Sequence, residues 1–309
     1  MHLHALTKKI KKKALDLGFF KVGIAKATFY QQDEDKFYSW LDNNYHASMY
    51  WLSKRKKERT NIVNYFYSSK SVISLAINYH SGHFWKDDDL KISSYALGDD
   101  YHIIVKSKLF HLLKYIKEEM NDVKGLVCVD TSPIMEKVWA QRSGIGWIGK
   151  HTNLITKENG SWFFLGEIII DKELEFDLPY SLDLCGTCTR CIEHCPTGAL
   201  DQEYVLDSNK CISYYTIEHR GDDISEDLKR NFQNWIYGCD ICQEVCPWNN
   251  KNQIITNVQE FMPRENLINK NKIDWIELTD CEYKKIFRNS AVKRAKFSGI
   301  KRNIRNVTN

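Results

Sequence analysis

Eight of the chain's ten cysteines lie between Cys185 and Cys246, in an order suited to gathering thiolates around iron. The first run, CGTCTRCIEHCP, spaces Cys185, Cys188, Cys191 and Cys195 as C-x2-C-x2-C-x3-C and ends on Pro196. Two-residue gaps let three thiolates converge on one cubane from a tight loop, while the fourth points towards a second cluster. The second run, GCDICQEVCP, provides Cys239, Cys242 and Cys246 before Pro247, one cysteine short of a mirror image. Cys211, in the intervening CISYY, can supply it. The arithmetic then closes. Cys185, Cys188, Cys191 and Cys246 hold one [4Fe–4S] cluster, and Cys195, Cys211, Cys239 and Cys242 hold the other. Paired CxxC motifs also bind zinc, but eight ligands in this order, with both Cys-Pro endings, favour cubanes. The chain is therefore expected to feed electrons to a redox reaction. Cys128 and Cys281 are left over and read as ordinary buried or half-buried thiols.

A second chemistry-bearing residue is Asp130, which ends the strand-like run LVCVD and precedes Thr131, Ser132 and Pro133. A carboxyl buried at a strand end has its pKa raised towards neutrality and can donate a proton. The same position suits the N-cap of a helix starting near Pro133. The residues alone leave both readings open. Gly144-Ile-Gly146-Trp-Ile-Gly149 matches GxGxxG, but a dinucleotide fingerprint needs a strand before it and a helix after it. Here helix-like EKVWAQRS precedes and strand-like NLIT follows. What remains is a tight glycine turn that can bring backbone close to a large planar ligand. Asp100-Tyr-His102 resembles the start of DxHxxG, whose histidine coordinates the cobalt of cobalamin, but Val105 stands where glycine is required. A lone histidine at a helix start reads as structural and is given no ligand role.

These groups need elements to position them. The chain has 309 residues, 43% of them hydrophobic, which is comfortable for two domains. Residues 1–178 mix β-rich runs (VGIA, SVISLAI, LVCVD and WFFLGEIII) with a helical repeat of apolar residues from Tyr101 to Met120. This predicts an α+β domain on a mixed sheet. Residues 179–255 form a ferredoxin-like module, and 256–309 a basic helical segment. The opening MHLHALTKKIKKK lacks the apolar run of a signal peptide. WFFLGEIII is too short for a membrane span and is broken by Glu167. A cytoplasmic location is expected, where cysteines serve metals rather than disulfides.

The net charge is only +4, but nine Lys and Arg lie between Lys284 and Arg305 with no acid among them. Interleaved with Phe287, Phe297 and Ile300, they predict a nucleic-acid-facing surface. A shorter run spans Lys54–Lys57. Lys8–Lys13 reads as the wet face of a helix whose apolar stripe is Leu6, Ile10, Ala14 and Leu17.

Taken together, VDTSPIMEK, RSGIGWIGKHTNL, CGTCTRCIEHCPTGAL, CISYYTIE and YGCDICQEVCPWN resemble the motifs of epoxyqueuosine reductases, in the same order and spacing. The resemblance runs from the N-terminus to about residue 305, and that family is related to the reductive dehalogenases. It implies a cobalamin-binding N-terminal domain beside a two-cluster module. It also implies reduction of the epoxide of epoxyqueuosine at the tRNA wobble position, giving queuosine. By the same resemblance Asp130 is the proton donor. Arg59, Ser93 and Asp130 line the cobalamin, backbone at Leu154 and Leu165 reaches it, and Ser213 lies beside both cofactors. His219 and Arg220 fall near the tRNA-contacting part. Longer members carry a HEAT-like extension; here Lys293, Arg294, Lys301 and Arg302 are expected to make the tRNA phosphate contacts instead. The implied partners are a tRNA and an external one-electron donor, with no membrane, and the chain is expected to be a monomer. Two other classes stay open: a plain electron-transfer protein and a cobalamin-dependent dehalogenase of a small molecule.

Overall fold

Two eight-residue runs rich in β-branched residues, SVISLAIN and FFLGEIII, are buried along nearly their whole length and so form the centre of a sheet. The structure, a computed structural model, describes residues 2–251 and 253–308. Its strands are β1 (Lys21–Lys26), β2 (Ser71–Asn78), β3 (Lys91–Ile92), β4 (Gly125–Cys128), β5 (Trp147–Ile148), β6 (Leu154–Ile155), β7 (Phe163–Ile170) and β8 (Trp235–Tyr237). The main sheet has the order β1-β2-β7-β4. The α+β class is as expected, but every ladder of this sheet is antiparallel rather than mixed. The parallel pairing lies elsewhere, between β3 and β8.

One face of the sheet is covered by the helices His2–Asp16 and Tyr101–Glu119. The second buries Val105, Leu109, Leu112, Leu113 and Ile116, one stripe at helical spacing. Val105, the residue that breaks the DxHxxG pattern, is part of this core. Each such side chain contributes roughly 1.5–3 kcal/mol on burial. The helix Glu136–Arg142 packs on the opposite face, where Trp139 joins Val72, Cys128 and Ile169. Cys128 is fully buried as an ordinary thiol, whereas Cys281 is exposed.

A second core joins all three parts of the chain. Ile92 and Leu97 come from the N-terminal region, Ile236 and Tyr237 from the cysteine region, and Trp275, Phe287, Ile300 and Ile304 from the C-terminal segment. The basic C-terminal segment is thus built into the protein and does not sit apart as a solvated tail. Among the described residues no helix is long and apolar enough to cross a membrane.

Candidate functional site

The cysteine loops are carried by two short helices, Arg190–Glu193 and Ile241–Glu244. Pro247 opens a further helix, Pro247–Lys251, where its missing N–H costs nothing. Cys185, Cys188, Cys191 and Cys246 line one cavity of about 300 Å³, with Lys150, Arg190 and Trp248 in its walls. Burial pushes the Cys191 thiol up to about 11, and the charges of Cys246 and Cys185 add to that. Cys246 in turn feels Cys185 and Cys188. In the other group burial again acts first. Beyond it, Cys211 feels Cys195, Cys239 feels Cys242 and Cys211, and Cys242 feels Cys211 and Cys195. Cys185, Cys188, Cys191 and Cys246 thus share one cavity, while Cys195, Cys211, Cys239 and Cys242 lie near one another, with Cys242 also feeling Cys191. None is in a disulfide. Enclosed thiols that would repel as thiolates are a donor set that a cationic iron core satisfies, so the residues fit the clusters.

Above the second group lies a larger cavity of about 880 Å³. Cys211, Ser213 and Gln243 form one wall, while Leu154, Phe164 and Leu165 form another. Asp130 and His102 lie at one side, with Arg294 also on the lining. Tyr101 stacks on Phe164 at 4.2 Å between ring centres, which gives a flat apolar floor. A flat floor with amide and hydroxyl groups from Asn153, Ser161, Ser213 and Gln243 suits a large planar ligand with polar side arms. The glycine turn contributes here. A Cβ on Gly146 would lie 2.0 Å from the Ile155 carbonyl oxygen, so glycine lets β5 close on β6, which presents Leu154.

Asp130, Leu154, Leu165 and Ser213 are brought together on this cavity, but Ser93 and Arg59 are not among its lining residues. Ser93 is buried, and its hydroxyl donates to the Asp240 carboxylate. The Ser94 N–H donates to the same carboxylate at 2.6 Å. A side chain at Gly238 would strike Ser93. Ser93 therefore ties β3 to the cysteine region rather than facing a ligand. The Arg59 guanidinium donates to the Ile134 carbonyl at 3.3 Å and lies over the Trp51 ring.

Asp130 itself departs from its expected surroundings. Its side chain is 56% exposed rather than buried. It caps no helix either, because the next one starts at Glu136 with Met135 at its N-cap. Its φ of 50° is left-handed, a conformation that costs a non-glycine residue roughly 1–3 kcal/mol. Two contacts hold it there. The Asp130 N–H donates to Glu136 Oε1 at 2.6 Å, and His102 Nε2 lies 3.0 Å from Asp130 Oδ2. The other ring nitrogen, Nδ1, lies 2.7 Å from Asp100 Oδ1, and Asp100 caps the helix Tyr101–Glu119 through the His102 N–H. Burial alone would lower the His102 pKa, but hydrogen bonds and charges from the two carboxylates outweigh it and hold the ring up at about 9. The two carboxylates thus favour the protonated, cationic form of His102 at neutral pH. His102 is a site residue that sequence reasoning passed over, although the D-x-H pair at a helix start was the visible signal.

With this geometry in view, comparison with known proteins places the chain. Residues 184–249 match a family described as a 4Fe-4S double cluster binding domain. Residues 59–131 match one described as epoxyqueuosine reductase QueG, DUF1730. An epoxyqueuosine reductase of Cellulophaga algicola is 44% identical over 96% of this chain and 95% of its own length. The chain belongs to the epoxyqueuosine reductase family. It is an oxidoreductase of that activity and a carrier of two [4Fe–4S] clusters. Among solved epoxyqueuosine reductases, one bound to an epoxyqueuosine-modified tRNA-Tyr stem loop superposes with a TM-score of 0.88. It is 26% identical, over 99% of this chain and 81% of that one. Another, from Bacillus subtilis (25% identical, TM-score 0.89, with the same coverage of both chains), has its catalytic aspartate loop swung out of the active site.

Seen as an epoxyqueuosine reductase, the chain distributes its basic residues unevenly. Arg302 is buried and donates to the carbonyls of Tyr215, His219 and Gly221, so it is a structural anchor and not a phosphate ligand as expected. Lys301 is turned to the Ile276 carbonyl at 2.6 Å. Arg294 is gripped by the Glu218 carboxylate at 2.7 Å at the cavity wall, and Arg220 donates to the Arg294 carbonyl. His219 Nε2 lies 3.1 Å from Asp223. Lys293 is exposed. Sequence reasoning missed Met49 and Trp51, which line the large cavity just ahead of Lys54–Lys57. Tyr50 and Trp51 are exposed. Aromatic residues running into a basic stretch were the available clue.

Proposed function

We propose that this chain reduces the epoxide of epoxyqueuosine within the anticodon of a tRNA to an alkene. It acts in the cytoplasm as a monomer, with cobalamin in the larger cavity and electrons from an external one-electron donor. One observation carries this reading: Cys211 of the second thiol group and Asp130 line the same cavity. An electron relay and a proton donor therefore meet in one space large enough for a planar cofactor and a modified base. Segments 1–178, 179–255 and 256–309 divide the work into cofactor pocket, relay and buttress.

Asp130, Leu154, Leu165 and Ser213 would hold cobalamin, together with the amides of Asn153 and Gln243. When bound, the cofactor supplies the low-potential reducing centre that no side chain provides. Everything else belongs to the chain. Cys185, Cys188, Cys191 and Cys246 hold the outer cluster. Cys195, Cys211, Cys239 and Cys242 hold the inner one, beside the cavity. The aromatic floor excludes water. Asp130, recharged by His102, protonates the oxygen as its bond to carbon breaks. The loop that bears Asp130 is strained and half exposed, which suits a donor that must move over its substrate. Trp51 on the cavity lining, with the nearby basic run Lys54–Lys57 and the exposed Lys293, would receive an anticodon loop through base stacking and phosphate contacts.

The test is anaerobic assay of reconstituted protein on a tRNA stem loop containing epoxyqueuosine. Conversion to queuosine with bound corrinoid is expected. Protein that holds both clusters and corrinoid yet leaves the epoxide intact would overturn the reading.

A further inference from the structure

The established reaction has a proton requirement that Asp130 and His102 do not meet in full. Reducing an epoxide to an alkene breaks two C–O bonds, forms one C=C π bond and releases the oxygen as water. Two electrons and two protons enter for each turnover. The external donor brings the electrons. The His102–Asp130 pair holds one proton placed to move. The second needs a store.

Behind Asp130 lies a group that nothing above uses. Glu167, in the middle of β7, is 0% exposed, and among the described residues its carboxyl oxygens meet no hydrogen-bond partner other than the Glu136 carboxyl. Its cross-strand neighbours are Ser74 and Cys128. An ionised carboxylate cannot persist there, since burial away from water strongly favours the neutral acid. The facing group is Glu136, whose Oε1 receives the Asp130 N–H and whose side chain lines the large cavity. Two carboxyls this close cannot both ionise, so they share a proton. Arg59, Asp130, His102, Lys137, Tyr101 and Cys128 are the charged and titratable groups around the pair. Arg59 is the cation that balances its single negative charge. Burial pushes Glu136 up to about 7, with the Asp130 charge adding to the rise, and burial pushes Glu167 well above the carboxylate range.

We infer that Glu136 and Glu167 form a second proton store for the reduction, which Glu136 delivers into the cavity beside Asp130. This rests on the reading of the large cavity as the reducing site. Glu136 also positions Asp130, and the two roles separate by substitution. Glu136→Gln keeps an acceptor for the Asp130 N–H but cannot give up a proton, and Glu167→Gln abolishes the sharing.

The experiment has two arms, run on full-length protein. The first is infrared difference spectroscopy of the apoprotein. Wild type should show a protonated-carboxyl band at about pH 6, well above ordinary carboxylate titration; Glu167→Gln should lose it, and in Glu136→Gln the remaining Glu167 band should no longer change as pH passes through about 7. The second is single-turnover reduction of the stem loop by holoenzyme. The wild-type rate should fall as pH rises through about 7. Each variant should lose about 10²-fold at pH 6, near the low end for loss of a proton donor, and lose that inflection. Should Glu167→Gln fold poorly, Glu136→Gln decides alone. Absence of the band in wild type overturns the proposal, as does either variant that keeps the wild-type rate and pH profile. The infrared arm needs no substrate, so it stands even if the wild-type protein fails to reduce epoxyqueuosine.

Discussion

His102 Nε2 stands 3.0 Å from Asp130 Oδ2, on a ring whose other nitrogen is 2.7 Å from Asp100. The two carboxylates turn an ordinary histidine into a cation at neutral pH, with its pKa at about 9. Asp130 is thereby held ready without being buried.

Asp130→Asn keeps the side chain's size but removes the transferable proton. Turnover should drop by roughly 10²–10⁴, as for loss of a general acid. The iron content and corrinoid spectrum should be unchanged. Near-normal turnover would show that the residue only shapes the loop.

The same dyad predicts a pH dependence of stability. The His102 pKa is raised above its ordinary value of about 6.5, so native protein binds the extra proton between the two values. The stabilisation is full below about 6.5 and is lost as pH rises through about 9. Thermal melts in Asp130→Asn should show a shallower loss over that window, and an NMR titration should place His102 lower than in wild type. An unshifted His102 resonance would contradict the pairing.

Metal content follows from the thiol groups. Anaerobically reconstituted protein should hold about eight irons, four for each cubane. Cys211→Ser removes one ligand of the inner cluster and should lower that figure towards about four while sparing the outer cluster's paramagnetic signal. A wild-type value near four, or zinc instead of iron, would break the assignment.

Two arginine and lysine sets should separate contact from scaffold. Replacing Lys54, Lys56, Lys57 and Lys293 by Gln should weaken binding of a tRNA stem loop and flatten its salt dependence. Every phosphate left without its cation lowers the log–log slope by about 0.7–0.9. Arg302→Gln should instead destabilise the fold by on the order of 2 kcal/mol, because three part-buried carbonyls lose their donor. A measured salt slope that is unchanged in the first variant would move the tRNA surface elsewhere.

The two-cluster module was legible in the sequence because cluster spacing is local: CxxC loops encode their own geometry. The reversed order around Gly144–Gly149 was legible for the same reason, since helix and strand periodicities show in short windows. The position of Asp130 at a strand end was also readable, but its environment was not. Exposure, a left-handed φ and bonds to His102 and Glu136 come from residues 28 and 6 positions away, joined only by packing. The C-terminal cations show the same limit. Arg302 and Lys293 look alike in a basic run, yet one satisfies three backbone carbonyls in the interior while the other faces water. Charge is a property of the residue, and burial is a property of what the chain brings against it. The sequence therefore determined the donor atoms and their spacing, while the tertiary structure decided which acids and cations sit in water, which share protons and which serve as scaffold.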